Sequence, residues 1–139
     1  MEITANALQT VEANQNVLFT ETAVCGNSSI IHRNGSGLVT LRGLTNQCRA
    51  RFKVFFSGNI ALPADGTVEP ISLAISVDGE PVATTTAIVT PAAVEQFFNV
   101  ATAVFLNVPA NCCVQVAVRN TSTQAIDVQN ANLIVERVA

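Results

Sequence analysis

The sequence contains few charged residues, and its basic residues are outnumbered by its acidic ones. Only 12% of the 139 residues are charged, against the usual share of about 25%, and the net charge is −3. The hydrophobic share of 49% excludes an intrinsically disordered chain, which needs low hydrophobicity and high net charge. The negative net charge argues against nucleic-acid binding through bulk charge. Because so few charges solvate a free monomer poorly, the composition favours an oligomer.

Histidine is nearly absent, and this limits the catalytic sites that the chain can build. His32 is the single histidine, so no histidine pair exists, and a glycine-rich segment follows it closely. Nucleophilic catalysis needs a nucleophile, a base and a group that orients the base. The segment Asn34-Gly35-Ser36-Gly37 lacks the lysine of a phosphate-binding loop, so it is interpreted as a turn. The sequence therefore predicts a protein that is not an enzyme and uses no cofactor.

Long apolar runs are also missing. No segment approaches the roughly 20 apolar residues that span a bilayer, so we expect no membrane partner. Residues 1–17 lack the positively charged start and continuous apolar stretch of a secretory signal, so we expect folding in a cytoplasm.

Folding in a cytoplasm determines what we expect of the cysteines. There are four: Cys25, Cys48, Cys112 and Cys113. Without export they should be reduced, mostly as buried structural thiols. The side chains of Cys112 and Cys113 would point to opposite faces of a strand, which makes Cys113 a candidate surface or interface thiol. A zinc site that combines these thiols with His32 is the weaker alternative, because the spacings match no compact zinc-binding pattern.

The residues that are abundant predict an all-β protein. Val, Ile and Thr together make 42 of the 139 residues, and these β-branched side chains favour strands over helices. Short β-rich runs alternate with turn signals from residue 17 onward, which is typical of a sandwich or barrel. We therefore expect a single domain at 17–139. Residues 1–16 show no sustained period and are interpreted as an N-terminal arm, or as a first, poorly packed strand.

An apolar residue at every second position assigns faces to the strands. The segments 48–56, 71–78, 98–108 and 112–118 all show this period, which predicts antiparallel sheets packed face to face. Asp78-Gly79 supplies the left-handed residues of a tight hairpin turn.

Apolar residues on the face opposite the core stripe predict a subunit interface. They are Phe97, Ala101, Ala103 and Phe105. In a monomer this face would be exposed to solvent. Two phenylalanines separated by alanines on such a face suggest a surface that another subunit covers. The run Leu133-Ile134-Val135 is apolar on both faces and supports the same interpretation. A loop folded over these residues is the alternative.

The basic residues are concentrated in one part of the sequence. Five of the seven lie between positions 21 and 65, where no acidic residue occurs: Arg33, Arg42, Arg49, Arg51 and Lys53. Arg49, Arg51 and Lys53 share one strand face and could form a patch that docks an acidic partner. The alternative is an edge or outer strand charged to discourage strand addition. Four acids near turns, interpreted as solvated loop residues rather than calcium ligands, are Asp65, Glu69, Asp78 and Glu80.

Several segments resemble one family of jelly rolls. Arg51–Ile60 (RFKVFFSGNI) resembles a strand of the tumour-necrosis-factor-like and complement-globular-head domains, and Ile71–Val82 is similar to the hairpin that follows it. Leu106–Val118 is similar to the loop and strand before the last strand, with Ala110-Asn111 in place of the usual Gly-Asp. The end of the chain, Asn132–Ala139, resembles the terminal strand of the bacterial members, including collagen-like spore-surface glycoproteins.

The resemblance, which covers about residues 45–139, implies an antiparallel β-sandwich of the jelly-roll type that forms a homotrimer. The chain has no Gly-X-Y stalk and is similar to proteins of phages and prophages. This implies a structural protein of the virion, as a head decoration or fibre component, assembled in the bacterial host cytoplasm with a capsid or fibre protein as partner. A trimer of the bacterial cell or spore surface, and a carbohydrate- or receptor-binding head, are the alternatives.

Overall fold

A computed structural model describes residues 1–26, 28–43, 49–109 and 113–139. These residues form twelve strands and a short 3-10 turn at Ala83–Thr85. The strands are β1 (Glu2–Ala5), β2 (Gln9–Val11), β3 (Glu21–Val24), β4 (Ile30–His32), β5 (Val39–Arg42), β6 (Arg49–Ala61), β7 (Ile71–Val77), β8 (Glu80–Pro81), β9 (Ala87–Val89), β10 (Phe98–Pro109), β11 (Cys113–Asn120) and β12 (Ile126–Arg137). Within the described ranges, no helix has the length and apolarity that crossing a membrane requires.

The strands form two antiparallel sheets, and this confirms the predicted sandwich. Sheet A has the order β10-β6-β12-β1-β3, and β2 also pairs with β12. Sheet B has the order β4-β5-β11-β7-β8, and β9 also pairs with β7. Neighbours in each sheet are mostly distant in sequence, so long-range pairing holds the chain together.

The predicted two-residue periods coincide with the core. In β6 the buried residues are Phe52, Val54 and Phe56, and in β7 the odd positions from Ile71 to Ile75 are fully buried. In β10, Val100 and Val108 are buried, but Phe98, Val104 and Leu106 are only half-buried. Because β10 is the edge strand of sheet A, its inward side chains lie at the margin of the core.

The hairpin predicted at Asp78-Gly79 is confirmed. Both residues have positive φ, 51° and 87°, and Val77 pairs with Glu80 across the turn. Two successive left-handed residues give a hairpin turn whose twist matches that of the flanking strands.

The prediction of a separate arm at residues 1–16 is wrong. β1 is an inner strand of sheet A, paired with β12 on one side and β3 on the other, and Ile3 is fully buried. β2 is tied in as well, because the buried Asn120 donates from Nδ2 to the carbonyl of Val11 at 2.9 Å. Both strands have only three or four residues, too few to establish a period, and distant partners hold them.

Truncation of a core phenylalanine should destabilise the fold strongly. Phe52 is fully buried, and Phe52→Ala should lower the free energy of unfolding by about 3–5 kcal/mol through lost burial and the cavity left behind. Phe98, which the period places on a core stripe, is half-buried, so Phe98→Ala should cost clearly less. Chemical denaturation at one fixed protein concentration measures both losses. Equal losses would contradict the marginal position of Phe98.

Candidate interaction surface

Three neighbouring strands, β10, β6 and β12, place alternate side chains on the outer face of sheet A. The central row of this face consists of Ala103, Phe55 and Ile134, which are direct cross-strand partners. Directly paired side chains in a sheet have Cβ atoms about 4.5–5.5 Å apart, so such a row is a contiguous surface. The two adjacent rows add Phe105 and Ala101 on β10. We call the five residues Phe55, Ala101, Ala103, Phe105 and Ile134 the outer patch.

The outer patch is exposed where the sequence predicted an interface. Phe105 is 63% exposed, and Ala101 and Ala103 on the same strand face are exposed as well. Phe97 is 42% exposed and lies just before β10 begins, outside the paired rows. The structure therefore brings three of the four predicted interface residues together and leaves Phe97 at one end.

Two residues of the outer patch, Phe55 and Ile134, are missing from the sequence-based interface set. Both are half-buried and pair directly with each other. The signal for Phe55 was that an apolar residue follows Arg49, Arg51 and Lys53 at the next odd position of β6. The signal for Ile134 was a terminal strand that is apolar on both faces. Sequence alone could not connect the two, because their pairing joins distant segments.

Two basic residues of β6, Arg51 and Lys53, lie on this same outer face, at the rim of the outer patch. Lys53 pairs with Phe105 on β10 and with Glu136 on β12, and Arg51 pairs with Asn107. The backbone of Arg49 pairs with Pro109, while its side chain lies outside the described groups. Arg51 and Lys53 of the predicted docking patch therefore lie on one surface with Ala101, Ala103 and Phe105 of the predicted interface.

The structure also changes the electrostatic interpretation of this face. β6 is hydrogen-bonded on both sides, so Arg51 and Lys53 do not protect a free edge, and that alternative is wrong. Glu136 lies directly opposite Lys53, so the rim carries both signs of charge. Arg42 is the last residue of β5 in sheet B, and Arg33 directly follows β4 of the same sheet. The basic cluster of the sequence is thus divided between two sheets.

Amide side chains border the outer patch on its other side. Asn99 on β10 donates from Nδ2 to Oδ1 of its cross-strand partner Asn59 at 3.2 Å. On β12, Asn132 donates from Nδ2 to Oε2 of Glu2 at 2.8 Å. An apolar centre with a polar and charged border is the arrangement of a protein–protein interface.

His32 and the exposed cysteines do not form a common site. One ring nitrogen of His32, Nε2, lies 2.9 Å from the carbonyl oxygen of Ser36, and the ring packs edge-on against Phe19. Cys25 is exposed, so the prediction of a buried thiol is wrong there, whereas the exposure of Cys113 agrees with the surface thiol predicted at that position. Cys48 and Cys112 lie outside the described residues. Among the described side chains, no three His, Cys, Asp or Glu residues converge as metal ligands.

Two of the four acidic residues near turns, Glu69 and Asp78, accept hydrogen bonds that hold loops in place. Glu69 accepts hydrogen bonds through Oε1 from Thr123 at 2.7 Å and from the amide of Gln124 at 2.9 Å. Asp78 accepts a hydrogen bond from the backbone N–H of Gln115 at 2.9 Å. These two carboxylates flank opposite ends of β7, so they do not form a common ion site.

Comparison with known proteins gives a fold likeness and no sequence relative. No family model matches the chain, and no curated protein matches it. The globular domain of zebrafish complement 1qA protein superposes with a TM-score of 0.51 at 10% identity, covering 96% of this chain and 93% of that one. The C-terminal domain of EclA, a sugar-binding protein, gives a TM-score of 0.42 at 15% identity, covering 95% of this chain and 80% of that one.

A third solved structure is more distant. It is the CBM22-1 xylan-binding domain of Xyn10C from Paenibacillus barcinonensis, with a TM-score of 0.36 at 12% identity, covering 99% of this chain and 87% of that one. The superposition on the complement domain and the strand order of the two sheets together identify the fold. The chain is a jelly roll. This confirms the predicted fold class, and identities this low carry over the fold alone.

The cysteines offer a direct test of the predicted redox state. All four should titrate as thiols in denatured protein without reductant, because a chain folded in a cytoplasm keeps its cysteines reduced. In the folded protein Cys25 should be alkylated readily, since its side chain is exposed and the thiol is free. Cys25→Ser, as the matched control, should lose one fast-reacting thiol. A count of two or none after denaturation would contradict the prediction.

Proposed function

We propose that this protein is a non-enzymatic structural jelly roll that forms a homotrimer through the outer face of sheet A. We further propose that the trimer is part of a phage or prophage virion, as a head decoration or a fibre component. The observation that carries the association is the outer patch, and the three-fold form of the assembly is what the family resemblance implies. The virion is proposed from the likeness of the strand patterns to phage and prophage proteins that is drawn under Sequence analysis.

The outer patch supports association because of its composition and shape. Phe105 is 63% exposed, and the alanines beside it are small, so a side chain from another subunit can reach the ring and the strand beneath it. Adjacent exposed apolar side chains form a surface that another protein can cover, which single scattered side chains do not. Burial of aromatic surface would supply the main favourable free energy, since phenylalanine dominates apolar burial at interfaces.

The border of the outer patch supports specificity. Lys53 and Glu136 lie side by side, so each can meet the opposite charge on a neighbouring subunit. Charged groups at the rim of an interface contribute mostly to orientation and choice of partner. Arg51, which is exposed at the end of this rim, is the proposed contact with an acidic surface of a capsid or fibre protein.

Two other functions fit the same fold. A bacterial cell- or spore-surface trimer would use the outer patch identically and differ only in location. A carbohydrate- or receptor-binding head would need a ligand site on a surface that the trimer leaves accessible.

Replacement of Phe105 should separate association from folding. Light scattering at micromolar concentration should give a mass about three times 14.6 kDa for the unmodified chain. Phe105→Asp should give a smaller species, because the change removes the exposed ring and buries a carboxylate in the interface, which costs free energy even beside its cross-strand partner Lys53. The matched control is Ile31→Asp, which makes the same change at a 45% exposed residue on the outer face of the opposite sheet. It should stay trimeric.

Dilution adds a second measure of the same interface. The melting temperature of the trimer should fall over an about hundredfold dilution, since association stabilises the folded protomer by mass action. Phe105→Asp should remove this concentration dependence. A monomeric unmodified chain, or a trimeric Phe105→Asp with an unchanged melting temperature, would reject the proposed interface.

The virion proposal predicts where the protein is found. After prophage induction, mass spectrometry of density-purified particles should detect the chain in a fixed ratio to the major capsid protein. An abundant cytosolic protein of the host serves as the contamination control. Recovery in the cell-surface fraction without particles would favour the surface trimer, and recovery in the cytosol alone would contradict both locations.

A further inference from the structure

An open depression on the outer face of sheet B has the composition of a ligand site. It has a volume of about 520 Å³, within the usual range of about 300–1,000 Å³ for small-molecule pockets. It lies on the opposite side of the sandwich from the outer patch. Its lining residues, which we call the sheet B depression, are Ile31, Arg33, Ser36, Leu38, Thr40 and Gln115.

Strand register places these side chains in a compact array. Ile31 pairs with Thr40, and Thr40 pairs with Gln115, so the three form one row across β4, β5 and β11. Arg33 directly follows β4 and Leu38 directly precedes β5, each two residues along the chain from this row. The exposed apolar side chains, Ile31 at 45% and Leu38 at 42%, therefore stand beside a hydroxyl, an amide and a guanidinium group.

The turn that carries Arg33, Ser36 and Leu38 is held rigidly. The backbone of Phe19 bonds to it twice, through Phe19 N–H to Ser36 O at 3.2 Å and Gly35 N–H to Phe19 O at 2.7 Å. Ser36 N–H donates to Arg33 O at 3.0 Å, and the Ser36 hydroxyl accepts from Leu38 N–H at 3.0 Å. This hydroxyl still has its own proton to donate to a ligand.

Two glycines permit these backbone hydrogen bonds between the turn and Phe19. Gly35 has φ +93°, a left-handed conformation that favours glycine. At Gly37 an added Cβ would lie 2.7 Å from the carbonyl oxygen of Val17, so only glycine permits the close approach of the two segments. The depression is thus preorganised, which reduces the entropy lost when a ligand binds.

We propose that the sheet B depression binds a carboxylated sugar, such as a uronic or sialic acid residue. The C–H face of a sugar ring matches the aliphatic side chains of Ile31 and Leu38. Its hydroxyls match the Thr40 hydroxyl and the Gln115 amide, both of which can donate and accept. Its carboxylate matches the guanidinium of Arg33, which forms bidentate, charge-assisted hydrogen bonds with carboxylates.

The charges around the depression set the orientation of the sugar. Arg33 lines the depression at the β4 side, and Arg42 lies two residues beyond Thr40 on the same face of β5 without lining it. Asp78, bonded to the backbone N–H of Gln115, lies at the β11 side. The sugar carboxylate therefore points towards β4 and its hydroxyl donors towards β11. Because an exposed ion pair contributes little by itself, a simple carboxylate without the sugar ring should not bind measurably.

This site is independent of the proposed trimer and compatible with it. The outer patch and the sheet B depression occupy opposite outer faces of the sandwich, so subunits joined through sheet A leave sheet B accessible. A trimer would present three copies, and multivalent attachment to a surface rich in acidic sugars would exceed the affinity of one site.

Nuclear magnetic resonance on the full chain labelled with ¹⁵N tests the proposal. The probes are the methyl glycosides of glucuronic, galacturonic and N-acetylneuraminic acids, each titrated to about 10 mM, where a millimolar site is largely occupied. At least one should shift the amide resonances of Thr40 and Gln115. Its methyl ester, which lacks the charge, should bind at least about tenfold more weakly. Sodium acetate should cause no such shifts.

Variants assign the effect to the depression. Arg33→Gln should weaken binding of the acid to the level of the ester, without a change in melting temperature, because Arg33 is exposed and holds the turn only through its backbone. Arg51→Gln, which removes a guanidinium from sheet A, is the matched control and should bind normally. Absence of binding by all three acids, equal binding of acid and ester, equal shifts with acetate, or full binding by Arg33→Gln would each overturn the proposal. None of these outcomes bears on trimer formation.

Discussion

The two-residue repeat of the β-strand is the constraint on which the rest of the structure depends. In β6, burial of Phe52, Val54 and Phe56 in the core forces Arg51, Lys53 and Phe55 to face outward. The neighbouring β10 and β12 follow the same rule, and register aligns their outward residues with those of β6. The outer patch is therefore a direct consequence of how the core is filled. A slip of one residue in any of these strands would exchange core for surface along its whole length.

The two outer faces of the sandwich differ in chemistry, and the difference is consistent with separate tasks. Sheet A presents a row of apolar side chains between a charged rim and a border of amides, which suits contact with another protein. Sheet B presents isolated aliphatic side chains among hydroxyl, amide and guanidinium groups, which suits a small polar ligand with an apolar face. Two distinct surfaces on one small domain would let the proposed assembly and the proposed sugar binding proceed without competition.

Long-range pairing explains why the ends of the chain take part in the fold. The amino group of Met1 donates to the carbonyl of Val135 at 2.6 Å, and Val135 N–H donates to Met1 O at 2.8 Å. The first and last strands thus lie side by side in sheet A, where β12 contributes Ile134 to the outer patch and β1 is the next strand. Assembly through this face would stabilise both ends of the chain, because it would cover the sheet in which they pair.

The sequence by itself determined the all-β fold class and which strand residues face the core or the solvent. The abundance of β-branched residues, the period of two and the Asp78-Gly79 turn are local properties, and local sterics fix their outcome. Tertiary structure alone decided which strands became neighbours. It placed Phe55 beside Ile134 and Glu136 opposite Lys53. It also separated Arg33 and Arg42, which lie on sheet B, from the basic residues of β6. Residues Glu2–Ala5 form an inner strand rather than an arm. Each of these pairings joins segments far apart in the chain, and no local period encodes the partner or the register of a strand.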